Sequence, residues 1–109
     1  LKANAPVDVA VNSIAADSLG ARRVGELNFR IAQQFVTNVV LVTDRSIAEA
    51  QRQLWADVSV IAEPGGAAAF AAIASAAYRP ERDERVGVLV CGANADLTVF
   101  AQASVGRGP

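Results

Sequence analysis

The residues of this chain best suited to chemistry are few, and they sit where apolar runs end. Val86-Gly-Val-Leu-Val-Cys-Gly-Ala-Asn-Ala-Asp96 passes from β-favouring residues straight into a Cys-Gly turn, with polar side chains following at once. A buried parallel strand delivers its carboxyl end to a ligand crevice in this way. Cys91, the single cysteine among 109 residues, therefore stands where a thiol would meet a ligand. The same pattern fits a small buried hydrophobe closing a core strand, and pattern alone favours that plainer reading. Glu63-Pro64-Gly65-Gly66 is the second candidate. Its carboxylate either steadies a helix start through the dipole or points into a crevice. The two glycines either permit close packing or form an anion nest; no Walker or dinucleotide pattern surrounds them, and packing is favoured. Asp8, Asp17, Asp44, Asp57 and Asp96 lack the spacing of a metal-binding loop.

What is missing narrows the chemistry further. There is no histidine, which removes His-built zinc sites, the usual triads and the commonest general base. Lys2 is the only lysine among ten basic residues, and eleven acidic residues bring the net charge to −1. No basic stripe exists to hold a phosphate backbone, so nucleic acid is not an expected partner. One cysteine makes no internal disulfide, in keeping with a reducing, cytoplasmic setting. Hydrophobic residues make up 52% and charged residues 19%, the latter against about 25% in ordinary soluble domains. The apolar excess is spread over alanine-rich and valine-rich segments, so no run is long enough for a membrane span. Such an excess implies apolar surface meant for a partner or for missing chain. The chain starts at Leu1, has no methionine and carries no secretory leader, which reads as a piece of something longer.

The elements that must position these residues follow from hydrophobic period. Residues 1–24 read as mostly irregular, with loop signals at Pro6, Asn12, Ser13 and Asp17 around an alternation at Val7, Val9 and Val11. Leu27, Ile31 and Phe35 recur at helical spacing, and Asn38 is a suitable end for that helix. Val39–Val42 reads as a fully buried strand. Thr43 is a candidate N-cap, with Asp44 in the first turn of a helix running to Asp57. Ile47, Ala50 or Gln51, Leu54, Trp55 and Val58 trace its inner face, with Trp55 the largest area to bury. After a short link, a helix starts at Pro64 and continues through an alanine-rich body to Tyr78. A charged loop, Pro80–Arg85, precedes the strand Val86–Val90, and a last helical stretch lies near Leu97–Gln102, with fraying from Val105. The expected fold class is α/β: over residues 25–103 helix-strand-helix-helix-strand-helix, a partial open sheet flanked by helices in a single segment spanning 1–109. An isolated pair of strands is marginal, so the rest of the sheet is expected elsewhere.

Four of these segments, in order, resemble one family. Ile14-Ala-Ala-Asp-Ser-Leu-Gly20 with Val24-Gly25-Glu26, then Val40-Leu-Val-Thr-Asp44 with Ile47, Glu63-Pro-Gly-Gly-Ala-Ala-Ala69, and Val88-Leu-Val-Cys-Gly-Ala-Asn94 are similar to stretches of serine and threonine dehydratases. The resemblance covers Ile14 to Asp96. It implies the second type of pyridoxal-phosphate fold, shared with the tryptophan synthase β chain and serine racemase, with this chain as the carboxyl-terminal part of the large domain. It also implies that Cys91 matches the Ser or Cys that hydrogen-bonds the cofactor's pyridine nitrogen, a neutral partner that does not hold the ring protonated. Glu63 matches a carboxylate near that ring edge, and Gly92 and Asn94 match the turn shaping this end of the pocket. Ser18, within Asp17–Gly20, matches a loop passing along the cofactor through backbone contacts. Ala93 departs from the pattern, since a second glycine is common there, and alanine would be strained if that position needs a positive φ.

The larger departure is that the Schiff-base lysine of a Ser-x-Lys segment and the tetraglycine-like phosphate loop are both absent, so no catalytic residue is assigned. The metal-binding carboxylate region would lie just upstream of Leu1, and no metal site is expected in this chain. The resemblance therefore implies a fragment of a lyase that converts L-threonine or L-serine to a 2-oxo acid and ammonia by β-elimination, with racemase activity as a neighbour. Pyridoxal 5'-phosphate would serve the complete enzyme, and this chain alone is expected to be inactive and to hold none. Its partners would be an amino-acid substrate and the missing amino-terminal catalytic portion, or a second copy. The chain ends without an effector-binding domain, which resembles the catabolic more than the biosynthetic enzymes. The alternative is a non-catalytic α/β interaction or assembly module derived from that fold.

Overall fold

The computed structural model describes residues 1–98, and among them the chain forms four helices and no strand. These are α1 (Ala16–Leu19), α2 (Glu26–Phe35), α3 (Asp44–Val58) and α4 (Pro64–Ala74). No helix among the described residues is long and apolar enough to cross a membrane. The expected stretch at Leu97–Gln102 lies, beyond its first two residues, outside the described residues, as does the fraying end from Val105.

Helix α3 begins as its sequence requires. Thr43 is extended, and its Oγ1 accepts from the Ser46 amide at 3.1 Å, which supplies one of the partners a first helical turn lacks. Ser59 ends the helix in the left-handed region, φ 56°, and its N–H reaches the Leu54 and Trp55 carbonyls. Thr43→Ala is expected to cost about 1 kcal/mol and to speed hydrogen exchange at the Ser46 amide, whereas Thr43→Ser should retain both values.

The core lies where α3 meets α4. Ile47, Ala50 and Leu54 recur on one face of α3, and Gly66, Ala67 and Ala71 face them from α4. Ala50, Ala67 and Ala71 are wholly buried, and small side chains at these positions let the two helices approach closely. Ala15, just before α1, and Ala62 complete the cluster, with Val42, Phe70 and Val90 against its edge. Helix α4 starts at Pro64, where the missing N–H costs nothing. It stops at Ala74 rather than Tyr78; Ser75 caps it, and Ala76 turns the chain with a positive φ.

Several expectations are corrected. Val39–Val42 and Val86–Val90 are not strands, so no partial sheet forms among the described residues. A strand needs a ladder of backbone partners, and no backbone hydrogen bond involves either segment among the described residues. Each segment lays one residue on the helical core, Val42 and Val90, and leaves much of the rest bare, with Leu41 87% exposed. Residues 1–24 are irregular apart from turns and the four-residue helix α1. Helix α2 ends at Phe35 with Val36 as its cap, not at Asn38, and packs on none of the other helices. Its Leu27 and Phe35 are 70% and 71% exposed, and Phe29 is the side chain it buries. Trp55, expected to bury the most area, is 46% exposed, and Val58 is exposed as well.

These bare faces have a measurable sum. The chain exposes 8426 Å², where a folded monomer of 11.3 kDa exposes roughly 5700 Å². Its radius of gyration is 15.4 Å, against about 13 Å for a compact domain of this length. Among the described residues α3 packs on α4 and α1 on α4, and the faces named above stay uncovered.

Candidate functional site

Three segments close around one cleft of about 510 Å³. Ile14, Asp17 and Ser18 form one wall at α1, Glu63 and Pro64 another at the start of α4, and Asn94 to Asp96 a third. The floor is a stripe of α3: Ala48, Gln51 and Arg52, at the i, i+3, i+4 spacing that shares one helical face.

The start of α4 is held against the Cys91-Gly92 turn by two backbone bonds. The Glu63 N–H donates to the Gly92 carbonyl at 2.7 Å, and the Cys91 N–H to the Gly66 carbonyl at 3.3 Å. Glycine is needed on both sides. A Cβ on buried Gly66 would stand 1.3 Å from the Cys91 carbonyl oxygen. Gly92 has φ +74°, and a Cβ there would stand 1.8 Å from Oε1 of Glu63. The Glu63 carboxylate thus lies over the Gly92 backbone at the rim of the cleft. It accepts no hydrogen bond among the described residues, nor does it cap its own helix.

The wall at α1 meets the same helix start. A Cβ on Gly65 would stand 1.9 Å from the Ser18 hydroxyl oxygen. That hydroxyl donates only a long bond, 3.5 Å, to the Ala15 carbonyl, which leaves it able to turn toward the cleft. Gln51 fixes the opposite side: its Nε2 donates to the Ala62 carbonyl at 2.8 Å, next to Glu63. Arg52 is held by Glu49, with its Nε donating at 3.1 Å.

The residues expected to gather at a site are therefore gathered, with distinctions. Glu63, Ser18 and Asn94 line the cleft; Cys91 and Gly92 support its rim through their backbone and are not among the lining residues. Cys91 is exposed, so the buried-hydrophobe reading does not hold for this chain. The positive φ falls at Gly92 and not at Ala93, so alanine at 93 carries no left-handed strain. Asp17, from the segment expected to pass along the cofactor, lines the cleft too, whereas Gln51 and Arg52 were not expected there. Their signal was the polar pair Gln51-Arg52 at the border of the buried face of α3, where periodicity left Ala50 or Gln51 as the inward residue. Among the described residues no group of side chains is arranged to hold a metal ion. The resolved titration shifts lie elsewhere: the Tyr78 hydroxyl donates to Glu84, which raises the tyrosine's pKa and lowers the carboxyl's.

Comparison with known proteins points the same way as the motifs. The family described as pyridoxal-phosphate dependent enzyme matches residues 1–92. The biosynthetic L-threonine dehydratase of Salmonella typhimurium is 32% identical over 98 residues, 89% of this chain and 19% of that protein. The phenylserine dehydratase of Ralstonia pickettii is 32% identical over 97 residues, 89% of this chain and 30% of the relative. The serine racemase of Dictyostelium discoideum is 34% identical over 80 residues, 72% of this chain and 25% of the relative. The chain thus spans less than a third of the length of each of these proteins.

Proposed function

The chain belongs to the pyridoxal-phosphate dependent enzyme family, and from that premise we propose that it is the carboxyl-terminal part of the catalytic domain of a serine/threonine ammonia-lyase. The complete enzyme would eliminate the β-hydroxyl of L-serine or L-threonine and release a 2-oxo acid and ammonia; racemisation is the neighbouring reaction. The observation that carries this reading is the meeting of the α1 segment, Glu63-Pro-Gly-Gly and the Cys91–Asn94 turn at one cleft, with a Glu63 carboxylate that accepts no hydrogen bond among the described residues.

The groups present fit the polar edge of a small aromatic cofactor. Gly92 lets the Glu63 carboxylate lie where a Cβ would collide with it, and a thiol, an amide and a hydroxyl stand at or beside the rim. When bound, pyridoxal phosphate supplies the electron sink for loss of the α-proton and the β-substituent. Cys91 Sγ offers a weak, neutral hydrogen-bond partner, suited to a ring nitrogen that stays unprotonated. Glu63 can accept a hydrogen bond at Oε1, Asn94 can both donate and accept, and Ser18 can turn its hydroxyl inward. The covalent anchor is not here: Lys2, the only lysine, does not line the cleft.

The partner in this reading is the amino-terminal catalytic portion, whose strands would pair with the bare backbone of residues 39–42 and 86–90 and cover Leu41. A cytoplasmic location is part of the same proposal. The exposed row Leu27, Ile31 and Phe35 on α2 favours a second reading, a non-catalytic assembly module, which turnover distinguishes. A complete polypeptide carrying this segment, loaded with pyridoxal phosphate, should form 2-oxo acid from threonine or serine. Residues 1–109 alone should form none and give no absorbance band with the cofactor. A loaded, folded complete protein that yields no 2-oxo acid overturns the lyase reading, and turnover by 1–109 alone overturns the assignment of essential groups to missing chain.

A further inference from the structure

The wall of the cleft at α1 is a four-residue helix, too short to hold its own place. An isolated turn of helix costs more to nucleate than its few hydrogen bonds return, so something outside it must set the position of Asp17 and Ser18. The first turn of α3 provides that hold. Asp44 Oδ1 accepts from the Ser13 hydroxyl at 2.7 Å, and Asp44 Oδ2 accepts from the Ile14 amide at 3.3 Å. The Ser13 oxygen in turn accepts from the Ala15 amide at 3.1 Å. One carboxylate, 30 and 31 residues away in sequence, thus satisfies the donors that lead directly into α1.

We infer that Asp44 and Ser13 form a positioning pair for the ligand cleft, holding the Asp17–Ser18 wall at its working distance from Glu63 and Gly65. Neither residue lines the cleft; both act through α1. The bonds are charge-assisted, which makes them stronger than neutral ones, and they join two elements that also carry opposite sides of the site: α3 forms the floor and α1 a wall. Loosening the pair lets the wall drift while the floor and the Glu63 rim stay put. The expected consequence is weaker ligand occupancy with little change in the bond-breaking step.

Asp44 also sits where a carboxylate favours the α3 dipole, so a loss of helix stability is the competing account of any effect. Ser13 separates the two, because Ser13→Ala removes the hold on α1 and leaves the α3 terminus intact. The inference rests on the lyase reading, and the experiment is done in the complete, cofactor-loaded polypeptide with threonine and serine. Ser13→Ala and Asp44→Ala should each raise KM roughly fivefold, the scale of one exposed charge-assisted hydrogen bond, with kcat within about twofold. The double variant should be no worse than the poorer single one, because both changes remove the same interaction. Asp44→Asn, which keeps one acceptor oxygen, should fall between wild type and Asp44→Ala. Additive KM effects, or a KM change at Asp44 that Ser13→Ala does not reproduce, would overturn the pairing. A wild-type protein without 2-oxo acid formation would instead sink the lyase reading, and hydrogen exchange then decides the pairing. Ser13→Ala should speed exchange at the Ala15 and Ser18 amides but not at the Ser46 amide; equal exchange at all three refutes it.

Discussion

Gly66→Ala is expected to be the most damaging single-methyl change in this chain. The added carbon would stand 1.3 Å from the Cys91 carbonyl oxygen and 2.5 Å from its carbon. Both are backbone atoms, and that peptide is tied to α4 by the Cys91 to Gly66 and Glu63 to Gly92 bonds. No rotamer change relieves such a contact. Either the Cys91-Gly92 turn lifts off the helix or α4 shifts against α3, where Ala67 and Ala71 are already fully buried. The expected loss is about 3 kcal/mol, read as an earlier denaturation midpoint of the complete protein. At least a hundredfold drop in kcat/KM should accompany it, because a displacement on the scale of 1 Å suffices for that. Gly65→Ala is the control. Its nearest obstacle, at 1.9 Å, is the Ser18 hydroxyl oxygen, the end of a side chain that can rotate away. Its cost should be under half that of Gly66→Ala. Equal costs at the two positions would mean that the turn does not rest on the helix as described.

Cys91→Ala in the complete, cofactor-loaded enzyme is expected to lower kcat/KM about a hundredfold, the scale of removing a single well-placed polar contact at a reacting system. Cys91→Ser should stay within about threefold, because a hydroxyl offers the same neutral donor and acceptor. The pair of variants isolates polarity from bulk, since Ala and Ser differ by one oxygen. Cys91 is exposed in this chain and its backbone, not its side chain, braces Gly66. The Ala variant should therefore keep its stability, unlike Gly66→Ala. Unchanged kinetics in Cys91→Ala would remove the thiol from the site and leave the residue a purely backbone role.

Much of this chain is legible from local chemistry alone. The start of α3 was readable from Thr43-Asp44, because an N-cap is a contact between residues three apart. The start of α4 was readable from Glu63-Pro64, because a proline's fixed φ and missing N–H act at its own position. The grouping of Glu63, Ser18 and Asn94 came from motif order, not from periodicity, and the structure places these three at one cleft. Periodicity did less well where it needed a partner. The row Leu27, Ile31, Phe35 is a true helical stripe, yet it stays exposed and packs on no other helix among the described residues.

What the sequence determined by itself is therefore the set of short-range structures: three of the four helix starts or bodies, the turn at Cys91-Gly92, and the family to which the motifs belong. Tertiary structure decided the rest. It put the positive φ on Gly92 instead of Ala93, and at Gly92 the Glu63 carboxylate occupies the space that a Cβ would need. It set Gln51 in the cleft floor with a bond to Ala62 and tied Asp44 to Ser13 and Ile14 ahead of α1, contacts that no local pattern encodes. It also withheld the sheet. Residues 39–42 and 86–90 carry the composition of strands, but a strand is a relation between two backbones, and within the described residues neither segment has its second.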